Sequence, residues 1–282
     1  MATDRITTIK LKEMKAAGAK IVGVTAWDHV SAKNAEAAGV DIVLVGDSLA
    51  MTMRGDPDTL AITLADMIYH TKMVSKACLL SMVVGDMPFM SYQVSAEQAL
   101  INAGRFLKEG GARGVKIEGG RRLAAAISKI TDAGIPVMGH IGLTPQSIHQ
   151  LGGFKIQART LDPARELIED ARCLQEAGVF AIVLECVPAP LSAHVTTLLE
   201  IPTIGIGAGS GCDGQIQVTA DVIGLTDADP PKHAKRYTNV SGAWTDALRK
   251  YAEDVREGAF PTEDNGFSAG DDLQSAIDNG TL

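Results

Sequence analysis

The chain lacks any apolar run near the ~20 residues that a membrane-spanning helix requires, although 46% of its 282 residues are hydrophobic. It does not open on a basic stretch leading into an apolar one, so no secretory leader is expected. Cysteine is scarce. Cys78, Cys173, Cys186 and Cys212 form no Cys-x-x-Cys pair and are too few for a disulfide framework, which makes a reducing cytoplasm the expected compartment. Without a Cys/His cluster a zinc site is disfavoured. A net charge of −8 argues against a nucleic-acid partner, because a phosphate-binding surface needs clustered Lys and Arg.

What the chain does have is a recurring phrase: a polar helical run, then Ala-Gly or Gly-Gly, then a short apolar segment. It appears as AAGAKIVGVTA (16–26), AEAAGVDIVLVGD (35–47), LKEGGARGVKIE (107–118), TDAGIPVMGH (131–140) and QEAGVFAIVLE (175–185). A glycine just past a helix takes the left-handed conformation that closes the last turn, so each phrase predicts a helix end followed by a strand start. The strands are rich in Val and Ile and apolar on both parities, as parallel strands covered on both faces are.

With further strands at 79–85, 201–206 and 216–225, about eight strand–helix units result, the complement of a (β/α)8 TIM barrel. A doubly wound open sheet is the competing architecture. Helices are expected at 29–38, 63–77, 95–109 with Ser95 as cap, 121–133, 163–177 and 188–200, flanked by a leading helix at 7–17 and a trailing one at 242–256. Residues 1–262 read as a single catalytic domain with no linker inside it. Residues 263–282 are acidic and short of core residues, and are expected to form a mobile tail. The spacing of Leu273 and Ile277 allows a short docking helix there instead.

Charged groups stand at the carboxyl ends of these strands: Asp47-Ser48, Asp86, Glu118, His140 and Glu185. A closed barrel gathers such ends at one mouth, where active sites of this fold lie, whereas an open sheet gathers only those at its switch point. Singly, each acid has an ordinary reading as a turn or cap residue, and a lone His is more often structural. Lys116 is harder to dismiss, because it lies inside an apolar strand on the same side as Glu118, and burying either charge alone is costly. Two carboxylates beside a hydroxyl make a hard-oxygen site suited to Mg2+. Such an ion chelates a 2-oxo acid, acidifies the adjacent C–H and stabilises the enolate, with Lys116 adding positive charge and Glu185 free to take the proton. The glycine-rich run 205–215 holds no Gly-x-x-x-x-Gly-Lys-Ser/Thr and is not assigned a nucleotide.

Seven stretches in this order, VTAWD (24–28), LVGDSLAM (44–51), DMPFMSY (86–92), VKIEGG (115–120), GHIGLTPQS (139–147), LECVP (184–188) and IGIGAG…DGQI (204–216), resemble the ketopantoate hydroxymethyltransferase family. The likeness runs from about residue 5 to 262, with Trp27 where the family commonly has Tyr and Gly85 where it commonly has Ala. The resemblance implies a barrel of the phosphoenolpyruvate/pyruvate kind and an aldol-like, Mg2+-dependent transfer. The one-carbon unit would come from 5,10-methylenetetrahydrofolate and the acceptor would be 3-methyl-2-oxobutanoate, giving 2-dehydropantoate for pantothenate and coenzyme A. By motif, Asp47 and Asp86 hold the metal with Glu118 near it; Asp47, Ser48, Asp86 and Lys116 contact the 2-oxo acid; His140 lies beside it; Glu185 accepts the proton. Family resemblance also implies a homodecamer.

Two other readings stand beside this one. A Mg2+-dependent lyase of the isocitrate lyase type shares the metal logic, but its Lys-Lys-Cys-Gly-His loop has no counterpart here. A non-catalytic barrel binding a small acid would lack a metal acid or the base, and neither is missing.

Overall fold

A computed structural model describes residues 4–282. Eight strands alternate with helices: β1 (Ile21–Thr25), β2 (Ile42–Val45), β3 (Met82–Asp86), β4 (Gly114–Glu118), β5 (Val137–Gly142), β6 (Ala181–Glu185), β7 (Thr203–Ile206) and β8 (Gly214–Gln217). Each pairs in parallel with the next, and β8 pairs with β1, so the sheet closes. The barrel is the expected one, and the open sheet is excluded.

Glycine sets the helix-to-strand corners as the recurring phrase predicts. Gly39 (φ 75°) ends the helix His29–Ala38 in the left-handed region, and Gly178 (φ 89°) does the same ahead of β6. Helix starts are equally local in origin. Thr63 and Ser95 cap the helices Leu64–Ser75 and Ala96–Lys108 by accepting from the third amide of each, which satisfies donors a helix start leaves open.

Strand parity divides the core in two. Ile42, Leu44, Met82, Val84, Met138, Val183, Ile204 and Ile216 point inward and fill the barrel. Val43, Val83, Val115, Ile117, Ile182 and Leu184 point outward and pack under the helices. Both sets are buried, which is why the strands read as continuous apolar runs.

Three boundaries differ from expectation. The eighth strand is Gly214–Gln217, and Thr219–Ile223 is helical, so 216–225 joins the end of one element to the next. The stretch 121–133 opens as a 3-10 turn at Arg121–Leu123 before the helix Ala124–Asp132. In the tail, Asp271–Asp278 forms a helix that buries none of its residues, with Leu273 and Ile277 exposed. Residues 209–214 spell Gly-x-Gly-x-x-Gly, but the last glycine opens a strand and no helix follows, so this is no dinucleotide turn. These glycines serve packing: a Cβ at Gly211 would come 2.6 Å from Ala193 Cβ on the helix Ala189–Leu198. Among the described residues no helix is long and apolar enough to cross a membrane.

Gly85 has its own packing reason. A Cβ there would overlap the ring of Phe106, which is fully buried on the helix Ala96–Lys108. Gly85→Ala is therefore expected to cost about 1–3 kcal/mol by overpacking, read from denaturant unfolding. Phe106→Leu in the same chain should recover part of that loss, giving a coupling above about 0.5 kcal/mol; additive losses would contradict the packing account.

Candidate active site

At the carboxyl ends of the strands the inward parity changes from apolar to charged. Asp86 continues the inward row of Met82 and Val84, and Glu185 continues that of Ala181 and Val183. On β4 the inward positions are Gly114, Lys116 and Glu118, with no large apolar side chain among them. Register aligns Asp86 with Lys116 across β3–β4 and Glu118 with His140 across β4–β5. Asp47 follows Gly46 just past β2, and its amide donates to Asp86 Oδ2 at 3.1 Å. Two acids end neighbouring strands because both belong to one hydrogen-bonded site.

Lys116 sits at the centre. Its Nζ donates to Asp86 Oδ1 (2.7 Å), Asp86 Oδ2 (2.9 Å) and Glu118 Oε1 (3.0 Å), and all three side chains are buried. His140 Nδ1 lies 3.1 Å from the same Glu118 oxygen. Its Nε2 is 3.2 Å from Glu185 Oε2 but out of line for a hydrogen bond. Glu185 is the one acid of the row that is partly open to solvent, its side chain 15% exposed.

Two neutral residues that carried no charge signal complete the network. Gln146, on the turn after β5, donates from Nε2 to Asp47 Oδ2 and to Met87 O, both at 2.9 Å, and its amide donates to Glu118 Oε2 at 3.0 Å. Tyr92 donates from Oη to Gln146 Oε1 at 2.6 Å and accepts from the Glu118 amide at 3.3 Å. Both lie in stretches that carry the family likeness, DMPFMSY and GHIGLTPQS, the only sequence signal that touched them. Ser48, half-buried, opens the short helix Leu49–Thr52 without making a cap bond, and stands beside the charged ring rather than within it.

The charges are unevenly balanced. Burial, then the carboxylates of Asp86 and Glu118, push Asp47 well above the usual carboxylate range. Burial also raises Asp86, and Lys116 offsets only part of that. Glu118 goes the other way: against its burial, Lys116 and His140 pull it down to about 2. Burial and Lys116 oppose a charge on His140, yet Glu118 and Glu185 together outweigh them and lift it to about 9. Burial works against the Lys116 ammonium too, but Asp86, Glu118 and Asp47 hold it well above its ordinary value.

Asp47 forms no ion pair among the described residues, and its side chain receives one hydrogen bond, from a neutral amide. A buried carboxylate without a cation is expensive. Carboxylate oxygens of Asp47, Asp86 and Glu118 lie within 4.8 Å of one another. This all-oxygen, negatively unbalanced cluster fits a hard divalent cation such as Mg2+.

Comparison with known proteins agrees with this geometry. The sequence profile of the ketopantoate hydroxymethyltransferase family matches residues 5–263. The chain is 52% identical over 274 residues to the 3-methyl-2-oxobutanoate hydroxymethyltransferase of Carboxydothermus hydrogenoformans, covering 97% of this chain and 99% of that one. It is 51% identical over 264 residues to the same enzyme of Dehalococcoides mccartyi, covering 94% and 95%. Among solved structures, phosphonopyruvate hydrolase in complex with oxalate and Mg2+ superposes with a TM-score of 0.60 at 13% identity, covering 97% of this chain and 95% of that one. 2,3-Dimethylmalate lyase, a member of the PEP mutase/isocitrate lyase superfamily, gives 0.58 at 17%, covering 97% and 99%. Those two likenesses are of fold.

Lys116 is the cation that lets Asp86 and Glu118 be buried together. Lys116→Met is expected to cost about 3–5 kcal/mol, the usual loss when one partner of a buried ion pair is removed. Urea unfolding of the metal-free protein measures it, and a loss below about 1 kcal/mol would show that the acids do not depend on this lysine.

Proposed function

Since the chain belongs to the ketopantoate hydroxymethyltransferase family and is a hydroxymethyltransferase, we propose that it moves a one-carbon unit from 5,10-methylenetetrahydrofolate to 3-methyl-2-oxobutanoate. The product is 2-dehydropantoate, which leads to pantothenate and coenzyme A. The observation that carries this reading is the ring of buried charge at the mouth, in which Lys116 is shared by Asp86 and Glu118 while Glu185 alone is partly open.

In this reading Asp47 and Asp86 hold Mg2+, with Glu118 near it. The ion supplies positive charge that acidifies the C3–H bond of a bound 2-oxo acid. Ser48 and Lys116, with Asp47 and Asp86, position the acid's oxygens, and Lys116 stabilises the charge that develops there. Glu185 takes the C3 proton as general base. His140 stands between Glu118 and Glu185, so its imidazole keeps positive charge beside both carboxylates. Carbon C3 then forms a bond to the folate's methylene carbon as one of that carbon's two C–N bonds breaks. Water supplies the hydroxyl as the second C–N bond breaks. The protons from C3 and from water go to the two nitrogens of the departing tetrahydrofolate.

A cytoplasmic location and assembly into a homodecamer belong to the same reading. The helix Val240–Glu257 buries none of its residues and exposes Trp244, Leu248, Tyr251 and Val255 at helical spacing, which supports contact with further copies.

The test is turnover of 3-methyl-2-oxobutanoate with methylenetetrahydrofolate, with and without Mg2+, together with exchange of the C3 hydrogen into deuterated water in the absence of folate. Full activity in chelator would contradict the metal's role. Glu185→Gln should bind Mg2+ and the 2-oxo acid as before, while exchange falls by roughly 10²–10⁴-fold. Undiminished exchange in that variant would assign the base elsewhere.

A further inference from the structure

The outer rim of the mouth carries charge that the inner ring does not explain. Two loops flank Cys186, the residue after Glu185. The loop 152–160 reaches it from one side, where the Gln157 amide donates to Cys186 O at 2.9 Å. The loop 226–238, which follows β8 and its short helix, reaches it from the other side. There His233 lies over Gly207: a Cβ on that glycine would stand 3.2 Å from the His233 ring and 3.3 Å from Cys186 Sγ. The carbonyl of His233 also accepts from Gln217 Nε2 at the end of β8, at 3.3 Å. Both loops are thereby anchored at the carboxyl ends of β6, β7 and β8, next to the proposed base.

Residues 152–160 and 226–238 hold Lys155, Arg159, Lys232, Lys235 and Arg236 against two acids, Asp227 and Asp229, in a chain of net charge −8, and Asp227 accepts from Ser241 Oγ at 2.8 Å. Arg236 is committed to the carbonyl of Ala228. The other four are exposed and form no ion pair among the described residues. Lys235 Nζ lies 4.7 Å from the centre of the Tyr237 ring, but none of the four is neutralised by an acid, and like charges on neighbouring loops attract an anion. Phe154 and Ile156, each 57% exposed, interleave with the cations. Where the first loop meets β6, Ala158 (φ 54°) and Cys186 (φ 48°) are both held in the left-handed region without being glycine. Backbone strain of this kind clusters at ligand clamps.

An apolar, partly aromatic surface bordered by unpaired cations fits a ligand with a flat aromatic body and carboxylates at its far end. We propose that these two loops seat the folate co-substrate, with its ring system against Phe154 and Ile156 and its glutamyl carboxylates among Lys155, Arg159, Lys232 and Lys235. The proposal rests on the reading of the reaction given above and adds where the co-substrate lies. A seat beside Glu185 lets the folate's one-carbon unit meet C3 on the side from which the proton has left. It also predicts a preference: each added γ-linked glutamyl residue brings another carboxylate to the basic rim.

The experiment compares KM for methylenetetrahydrofolate bearing a single glutamyl residue and bearing a longer γ-linked chain, using the full-length enzyme with Mg2+. KM should be lower for the longer chain, and the advantage should fade as salt rises. Lys232→Ala with Lys235→Ala should raise KM for the longer chain by about 2–5-fold per cation removed. Folate-independent exchange of the 2-oxo acid's C3 hydrogen should stay unchanged in that variant. Phe154→Ala should raise KM for both folates alike. Equal KM values for the two folates in the unaltered enzyme, or exchange that falls with KM in the lysine variant, would overturn the seat while leaving the reaction in place. Exchange without turnover on either folate would overturn the co-substrate reading, and the seat with it.

Discussion

The ammonium of Lys116 lies within 3.0 Å of carboxylate oxygens from both Asp86 and Glu118, at the mouth of a barrel whose deeper layers are filled by apolar side chains. Three acids packed there without a cation would repel each other and take up protons. With Lys116 among them, Glu118 stays ionised; Glu118 in turn draws His140 towards its charged form although Lys116 opposes it, and Asp47 is left as the carboxylate in need of a cation. The barrel supports this arrangement by register. Asp86, Lys116, Glu118 and His140 come from three successive strands whose pairing sets them side by side. A slip of one residue on any of those strands would turn its charged group out under the helices.

Much of this was legible in the sequence because it follows from period and parity. The Ala-Gly phrase located helix ends, and two-residue spacing put Lys116 and Glu118 on one face before any fold was known. The eighth strand was misjudged for a physical reason. Gly214–Gln217 is short and only half apolar, whereas Val222, Ile223 and Leu225 extend the apolar pattern into a helix and the loop beyond it. Gln146 and Tyr92 were missed as site residues because a neutral amide and a phenol give no charge signal. Their part depends on the turn after β5 folding over the loop after β3, a tertiary relation no local pattern encodes. The tail's helix was open to either reading from the spacing of Leu273 and Ile277.

The same barrel carries proteins named as hydrolase, lyase and mutase at 13–17% identity, so the fold alone does not choose a reaction. The site divides that task. Inward strand ends provide buried charge of fixed geometry, and the loops after β5 and β8 shape the rim around Glu185. Strands are rigid and loops vary, which lets one barrel carry different sites.

The central claim, that the buried acids form a divalent-cation site built around Lys116, is tested most directly by diffraction from crystals grown with Mn2+ and 3-methyl-2-oxobutanoate. The account predicts one strong anomalous peak between Asp47 and Asp86, with the carboxylate and ketone oxygens of the 2-oxo acid on the same ion. A peak elsewhere, or an ordered 2-oxo acid at the mouth with no metal beside it, would contradict the account.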